Sequence, residues 1–246
     1  ATGTAAQFAN PEYLVYLNNA LYVADSNNRR VVKYNSAGNF VGWLGLGQSP
    51  WVANDDLWQP AGTITDPVNL NNAGAQTNTR MLFLPWTLTS DANFLYIVDY
   101  GARRIVRRKR TGVPATDGQF DSFIGNGQNA WSTSFVADGS SGSAAGWFND
   151  PRGIVLTGAY LYVADETNHR IVRVNVSTGV ADKWIGGNVD GWQNLTGATA
   201  AAPLGTGPKA FQNPSDITSD GTYLYIADRK NNRISRWNIT TGNFAG

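Results

Sequence analysis

Four segments of this chain align without gaps: LYVADSNNRRVVKY from Leu21, LYIVDYGARRIVRR from Leu95, LYVADETNHRIVRV from Leu161 and LYIADRKNNRISRW from Leu224. A pattern recurring on this scale folds as one supersecondary unit stacked on copies of itself. Asp recurs at Asp25, Asp99, Asp165 and Asp228, with Arg five places later at Arg30, Arg104, Arg170 and Arg233. Successive units are 74, 66 and 63 residues apart. Upstream of each lies a proline-bearing lead-in: NPEYLVYL at Asn10, LPWTLTSD at Leu84, DPRGIVLTG at Asp150 and NPSDITSDG at Asn213. Downstream lie a polar loop, a strand opened by the Arg, a turn and a glycine-ended strand. That order gives four short antiparallel strands per unit, the pattern of a propeller blade.

LYVAD is largely apolar on both faces, as suits a strand covered by a neighbouring blade on each side. The Asp can accept hydrogen bonds from the tight loop behind it. The forked Arg can bridge to that Asp or to backbone carbonyls. Fourfold recurrence makes these Asp and Arg residues a structural clasp for each blade rather than catalytic groups. The predicted fold is all-β: a β-propeller of four blade units, about residues 8–50, 81–125, 147–187 and 210–246, in a single domain over 1–246.

These units resemble NHL repeats. DPRGIVLTGAYLYVADETNHRIVRVNVSTG carries the resemblance nearly throughout, and NPSDITSDGTYLYIADRKNNRISRWNITTG is close. Unit one keeps VADSNNRRV but lacks the lead-in glycine. Unit two departs most, with LPW as its lead-in and Ala102 where the others have Asn28, Asn168 and Asn231. The resemblance implies a propeller serving as a platform for protein, RNA or ligand binding, and occasionally as an enzyme.

Propeller blades repeat every ~40–45 residues, so each spacing leaves a surplus between one unit's fourth strand and the next unit's first. The surplus has its own pattern: GLGQSPW at Gly45, GNGQNAW at Gly125 and GGNVDGW at Gly186 place Trp51, Trp131 and Trp192 at one offset. The later inserts end in AAGWFNDP and GPKAFQNP, which match the opening GTAAQFANP. The inserts therefore belong to the repeat. Loops on a rigid scaffold commonly carry binding surfaces, and Trp is favoured at interface hot spots. Trp51, Trp131 and Trp192 are thus candidate partner-binding residues, for protein or carbohydrate. Their alternative duty is to cap the gap between adjacent blades. Four units can close as a four-bladed ring, belong to a longer repeat array, or complete one another as a homo-oligomer. Exposed sheet edges invite such pairing.

The absence of cysteine removes disulfides, thiolate nucleophiles and Cys-based zinc sites. His169 is the single histidine, so multi-histidine metal sites are excluded and no GxSxG elbow accompanies it. Carboxylates could hold calcium, the one cofactor left open. Asp55, Asp56 and Asp66 lie in the first insert, Asp138 in the second and Asp190 in the third, with Asp150 and Asp216 at blade lead-ins. None forms a D-x-[DN]-x-[DN]-G loop, so the sequence assigns no cofactor. The run RRIVRRKR, Arg103 to Arg110, is local in a chain of net charge +1, which argues against nucleic acid. No apolar run of ~18 residues is present to span a bilayer. ATGTAAQFANP lacks the basic start and apolar stretch of a signal peptide. Only 15% of residues are charged, and three Asn-x-Ser/Thr sequons, Asn175, Asn194 and Asn238, suit glycosylation. Together these point to a secreted or cell-surface protein.

The sequence thus reads as a non-catalytic binding or assembly module. One rival is a metal-dependent hydrolase or lyase with carboxylate ligands in a central channel. The other is the structural subunit of a filament or surface fibre.

Overall fold

A computed structural model describes residues 8–45, 82–112, 117–134, 141–196 and 201–246. Trp51, Asp55, Asp56, Asp66 and Asp138 lie outside them. The described residues form four antiparallel sheets and short 3-10 turns, without α-helix. This is the β-propeller architecture expected from the repeat. Blade one contains β1 (Pro11–Leu17), β2 (Ala20–Asp25), β3 (Arg30–Asn35) and β4 (Phe40–Gly45), paired in that order. Blade two contains β5 (Pro85–Ser90), β6 (Phe94–Asp99), β7 (Arg104–Lys109), β8 (Phe120–Gly125) and β9 (Gln128–Ser132). Blade three repeats this plan with β10 (Pro151–Thr157), β11 (Tyr160–Asp165), β12 (Arg170–Asn175), β13 (Ala181–Gly186) and β14 (Val189–Asn194). Blade four contains β15 (Pro214–Ser219), β16 (Tyr223–Asp228) and β17 (Arg233–Asn238), with one bridge from Trp237 to Phe244. The second and third inserts thus begin as strands: β9 and β14 extend blades two and three where sequence indicated loops. Two compact units divide the chain, one centred on blades one and two, the other on blades three and four with the outer edge of blade two's sheet.

Local chemistry sets the turns. After β3, β12 and β17, the Asn side chain folds back on its own turn. Asn35 Oδ1 accepts from Ala37 and Asn39 N–H, Asn175 Oδ1 from Ser177 and Thr178 N–H, and Asn238 Oδ1 from Thr241 N–H. These Asx turns let the chain reverse without strain. The loop after each Asp ends in a left-handed residue: Arg29, Arg103, His169 and Asn232 have φ of 53°, 51°, 54° and 52°.

The second strand of each blade supplies the core. Leu95, Tyr96, Ile97 and Val98 of β6, and Leu161, Tyr162, Val163 and Ala164 of β11, are all buried. Blade three's Tyr162, Ala164, Ile171 and Ile185 form one cluster with blade four's Phe211, Ile217, Leu224, Ile226 and Trp237. Each large apolar side chain so buried stabilises by ~1.5–3 kcal/mol. Contact between β10 and β15 is close enough that a Cβ on Gly153 would lie 2.6 Å from the Asp216 Cα. That spacing explains the lead-in glycine of unit three.

In blades one, three and four the clasp is an ion pair around a buried Asp with both carboxylate oxygens engaged. Arg30, Arg170 and Arg233 each donate Nε–H to Oδ2 of Asp25, Asp165 and Asp228, at 2.6, 2.8 and 2.9 Å. The loop amides of Asn28, Asn168 and Asn231 donate to the same oxygens at 2.8, 2.9 and 2.8 Å. Oδ1 accepts a lead-in N–H from sixteen residues upstream, that of Ala9, Asn149 or Gln212, at 2.7 Å each. In blade two, Phe83 and Leu84 N–H both reach Asp99 Oδ1, at 2.8 and 2.9 Å. The guanidinium also reaches back to the insert tail, Arg170 to the Ser143 and Trp147 carbonyls and Arg233 to those of Gly207 and Ala210. Burial pushes the Asp165 carboxyl up, and Arg170 with the surrounding N–H donors opposes that rise.

Asp165→Ala leaves the Arg170 cation buried without its partner, and breaking a buried pair costs ~3–5 kcal/mol. Denaturant unfolding is expected to show a loss in that range. Asp228→Ala is expected to cost less, because the Arg233 side chain keeps 27% of its surface in water against 0% for Arg170. Equal losses would contradict the burial argument.

Candidate functional site

Two clefts occupy the same place in the repeat. One lies between blades three and four, where the turn from β10 to β11 meets the turn after β17. Thr157, Tyr160, Tyr162, Arg173, Ile239 and Thr240 line a space of about 370 Å³. The other, between blades one and two, has about 290 Å³ lined by Asn18, Tyr22, Lys33, Arg110, Thr111 and Asp117. Tyr22 and Tyr162 hold the same repeat position, as do Lys33 and Arg173, and Thr111 and Thr240. The rest of the lining changes: Ala20 becomes Tyr160, and Arg110 becomes Ile239. Both volumes lie near the lower end of the ~300–1,000 Å³ range of small-molecule sites.

In the cleft of blades three and four, Arg173 is held between two rings. Its guanidinium lies 4.3 Å from the Tyr160 centroid and 5.3 Å from that of Trp192. Asp182 fixes its far side, accepting from Nε at 3.1 Å and Nη2 at 2.6 Å. Burial works against the Arg173 charge, but the hydrogen bonds and charge of Asp182 outweigh it and raise its pKa. Tyr162 packs 5.6 Å from Trp192, and burial pushes its hydroxyl up to about 12, so it stays protonated at neutral pH. The result is a fixed aromatic wall with one oriented cation and hydroxyl groups at the rim. This suits a neutral or weakly anionic polar ligand with an apolar face.

The cleft of blades one and two is ionic instead. Lys33 Nζ meets Asp117 Oδ2 at 2.8 Å, and Arg110 donates to the Asp91 carbonyl. Burial opposes the Asp117 charge. Lys33 and the N–H groups of Gly112 and Thr111 outweigh that and hold the carboxyl below its ordinary value.

A cation over a ring at this position recurs in blades two to four. Arg107 lies over Phe94 at 4.4 Å with Asp121 beside it, and Arg236 over Tyr223 at 4.8 Å. In blade one, where Ala20 holds the ring position, Lys33 lies over Tyr22 instead, at 5.8 Å. Sequence reasoning passed over the aromatic residues Phe94, Tyr160 and Tyr223. Their signal is the residue just before the LY pair in units two to four, one strand across from the recurrent Arg.

Trp131 and Trp192 sit on β9 and β14 and reach the next blade's turn. Trp131 Nε1–H donates to the Val176 carbonyl at 2.7 Å, and Trp192 Nε1–H to that of Ile239 at 2.9 Å. A Cβ on Gly179 or Gly242 would lie 2.4 or 2.5 Å from the Trp131 or Trp192 backbone nitrogen. Both indoles therefore cap gaps between blades, and Trp192 also backs the cleft.

The basic run is used within its own neighbourhood. Arg103 pairs with Asp150 at 3.5 Å, Arg104 stacks on Phe123, Arg108 is buried against Phe120, and Lys109 donates to Gln119. His169 Nδ1 accepts the Asn213 N–H at 3.3 Å, and burial lowers its pKa. Asp190 is exposed and pairs with Lys209, whose hydrogen bond lowers its carboxyl. Asp216 stands on an exposed strand position, yet desolvation of its carboxyl raises its pKa against the opposing Ile217 N–H. Among the described residues, no three His, Asp or Glu side chains come together as a metal-holding group. Of the sequons, Asn194 is exposed with its Oδ1 accepting from Lys183 Nζ at 2.7 Å, and the Asn175 and Asn238 carbonyls are engaged in turns.

These features define a repeat β-propeller protein. The LVIVD repeat family matches residues 150–173 and 213–232, in the lead-in and clasp regions of blades three and four. No curated protein sequence matches the chain significantly. The fold is similar to an auxiliary nutrient binding protein from Bacteroides ovatus ATCC 8483, at 13% identity and a TM-score of 0.51, covering 89% of this chain and 45% of that one. A second auxiliary nutrient binding protein, from Bacteroides thetaiotaomicron VPI-5482, gives 16% identity and a TM-score of 0.50, with the same coverage. A streptogramin B lyase structure is matched over 94% of this chain and 52% of its own, at 15% identity and a TM-score of 0.49. The chain thus spans about half the length of the solved structures it matches. No helix among the described residues is long and apolar enough to cross a membrane.

Asp117→Asn is expected to destabilise by ~1–3 kcal/mol at neutral pH, since it removes a part-buried charge-assisted pair. Because folding lowers this pKa, its contribution is present above the ordinary value of 3.8 and lost as pH falls below it. Wild type and variant should therefore converge in stability on acidification. A difference that stays constant through that window would contradict the pairing.

Trp192→Phe removes one indole donor and is expected to cost ~0.5–1.5 kcal/mol in thermal unfolding. An unchanged midpoint would count against its capping role.

Proposed function

We propose that this chain is a non-catalytic, NHL-type propeller module that works outside the cell and binds carbohydrate in the cleft of blades three and four. One observation carries the reading. The cleft recurs at one repeat position while its lining differs, ionic between blades one and two and aromatic between blades three and four. A constant scaffold with a varied rim is the form of a binding surface rather than of a packing defect.

Tyr160 offers a ring face, Arg173 an oriented donor, and Thr157 and Thr240 hydroxyl groups. Apolar sugar faces stack on such rings, and sugar hydroxyls pair with such donors. Trp192 serves from behind, holding Arg173 and Tyr162 in place. The low charge and the exposed Asn194 support a secreted or cell-surface setting.

Calorimetric titration of the whole chain with a panel of neutral, acidic and amino oligosaccharides tests this. At least one class should bind, and Tyr160→Ala should weaken it ~10-fold or more, the loss typical of an aromatic anchor, with the fold retained by circular dichroism. Failure of every class to bind, or binding indifferent to Tyr160, would overturn the reading.

A further inference from the structure

The blade faces that meet inside this chain recur in two places where their apolar residues are exposed. Where blade four meets blade three, Phe211 and Ile217 of the later blade pack on Ala164, Ile171 and Ile185 of the earlier one. The repeat assigns equivalents to each. Phe211 matches Leu82, Phe148 and Phe8. Ile217 matches Leu88, Ile154 and Leu14, each paired across its hairpin to the same position of the second strand. Ile171 matches Val31, Ile105 and Ile234, which follow the clasp Arg in each unit.

Within these sets most members are at most 5% exposed, and three are not: Phe8 at 39%, Leu14 at 67% and Ile234 at 66%. Phe8 and Leu14 belong to the forward face of blade one, Ile234 to the rear face of blade four. Other rear-face groups of blade four are open too. The Arg233 side chain is 27% exposed against 3% for Arg30, and Asn232 is exposed where His169 bonds the next blade's Asn213. Single exposed apolar residues are ordinary. Two exposed faces that reproduce the two halves of an internal interface are not.

We propose that the rear face of blade four binds the forward face of blade one from a second copy of this chain. Phe8 and Leu14 of one copy take the places at Ile234 and Ala227 of the other that Phe211 and Ile217 hold at Ile171 and Ala164. The contact is head-to-tail, so each copy offers one face of each kind. A pair of copies so joined carries eight blades, within the range of about four to eight known for propellers. This inference is independent of the carbohydrate reading, because the faces and the cleft share none of the residues named.

Light scattering on the whole chain across a concentration series tests it. The expected particle has about twice the 26.6 kDa chain mass. Leu14→Arg and Ile234→Arg, each at an exposed position that folding tolerates, should each raise the dissociation constant ~10-fold or more, as charge insertion at an interface centre does, with circular dichroism unchanged. Mixing the two variants should restore association, since each keeps the face that the other has lost. A monomer at all concentrations overturns the proposal. So does a dimer indifferent to both substitutions, or variants whose mixture stays monomeric.

Discussion

The buried carboxylate at the end of each second strand holds its blade from three directions. One oxygen takes the lead-in N–H groups. The other takes the loop amide and the guanidinium of the next strand. The guanidinium then extends to carbonyls of the preceding insert. A single residue thus fixes where the first strand begins, how the loop turns and where the insert returns. An isolated carboxylate could not sit there, since desolvation of an unpaired charge is prohibitive. The full set of donors makes burial tolerable and makes the arrangement specific.

With each blade fixed in this way, neighbouring blades meet through apolar faces and a second layer of polar ties. Trp131 and Trp192 bind the gap at the outer hairpins, while Glu166 joins Arg152 to Arg229 across blades three and four. The turns at the rim are held by their Asx bonds and by backbone carbonyls that accept from Trp131 and Trp192, which leaves their side chains to vary. That is where the lining changes from blade to blade and where an arginine is held ready between two rings.

The fold was legible in sequence because its determinants are local. The Asp and Arg are five residues apart, and the hairpin register sets Asp165 directly opposite Arg170. The clefts were not legible, since Tyr160 and Ile239 are far apart in the chain and meet only when two blades pack. The inserts were half legible. Their shared Trp offset shows that they belong to the repeat. Their strand character depends on pairing with β8 and β13, which turn composition alone does not reveal. The run Arg103 to Arg110 reads as a patch only in one dimension. Strand alternation sends its side chains to opposite faces, where Asp150, Phe94 and Phe120 each meet a different one.

Native-state hydrogen exchange tests the central role of the carboxylate most directly. The Asn149 and Gln212 amides lie outside regular strands, yet each donates to a buried clasp oxygen at 2.7 Å. The account expects these two to exchange as slowly as the centre of β11, and to speed up together with the Arg170 or Arg233 region when the clasp Asp is removed. Exchange at the rate of the exposed turn amides, with the strands still protected, would show that the clasp does not organise the blade.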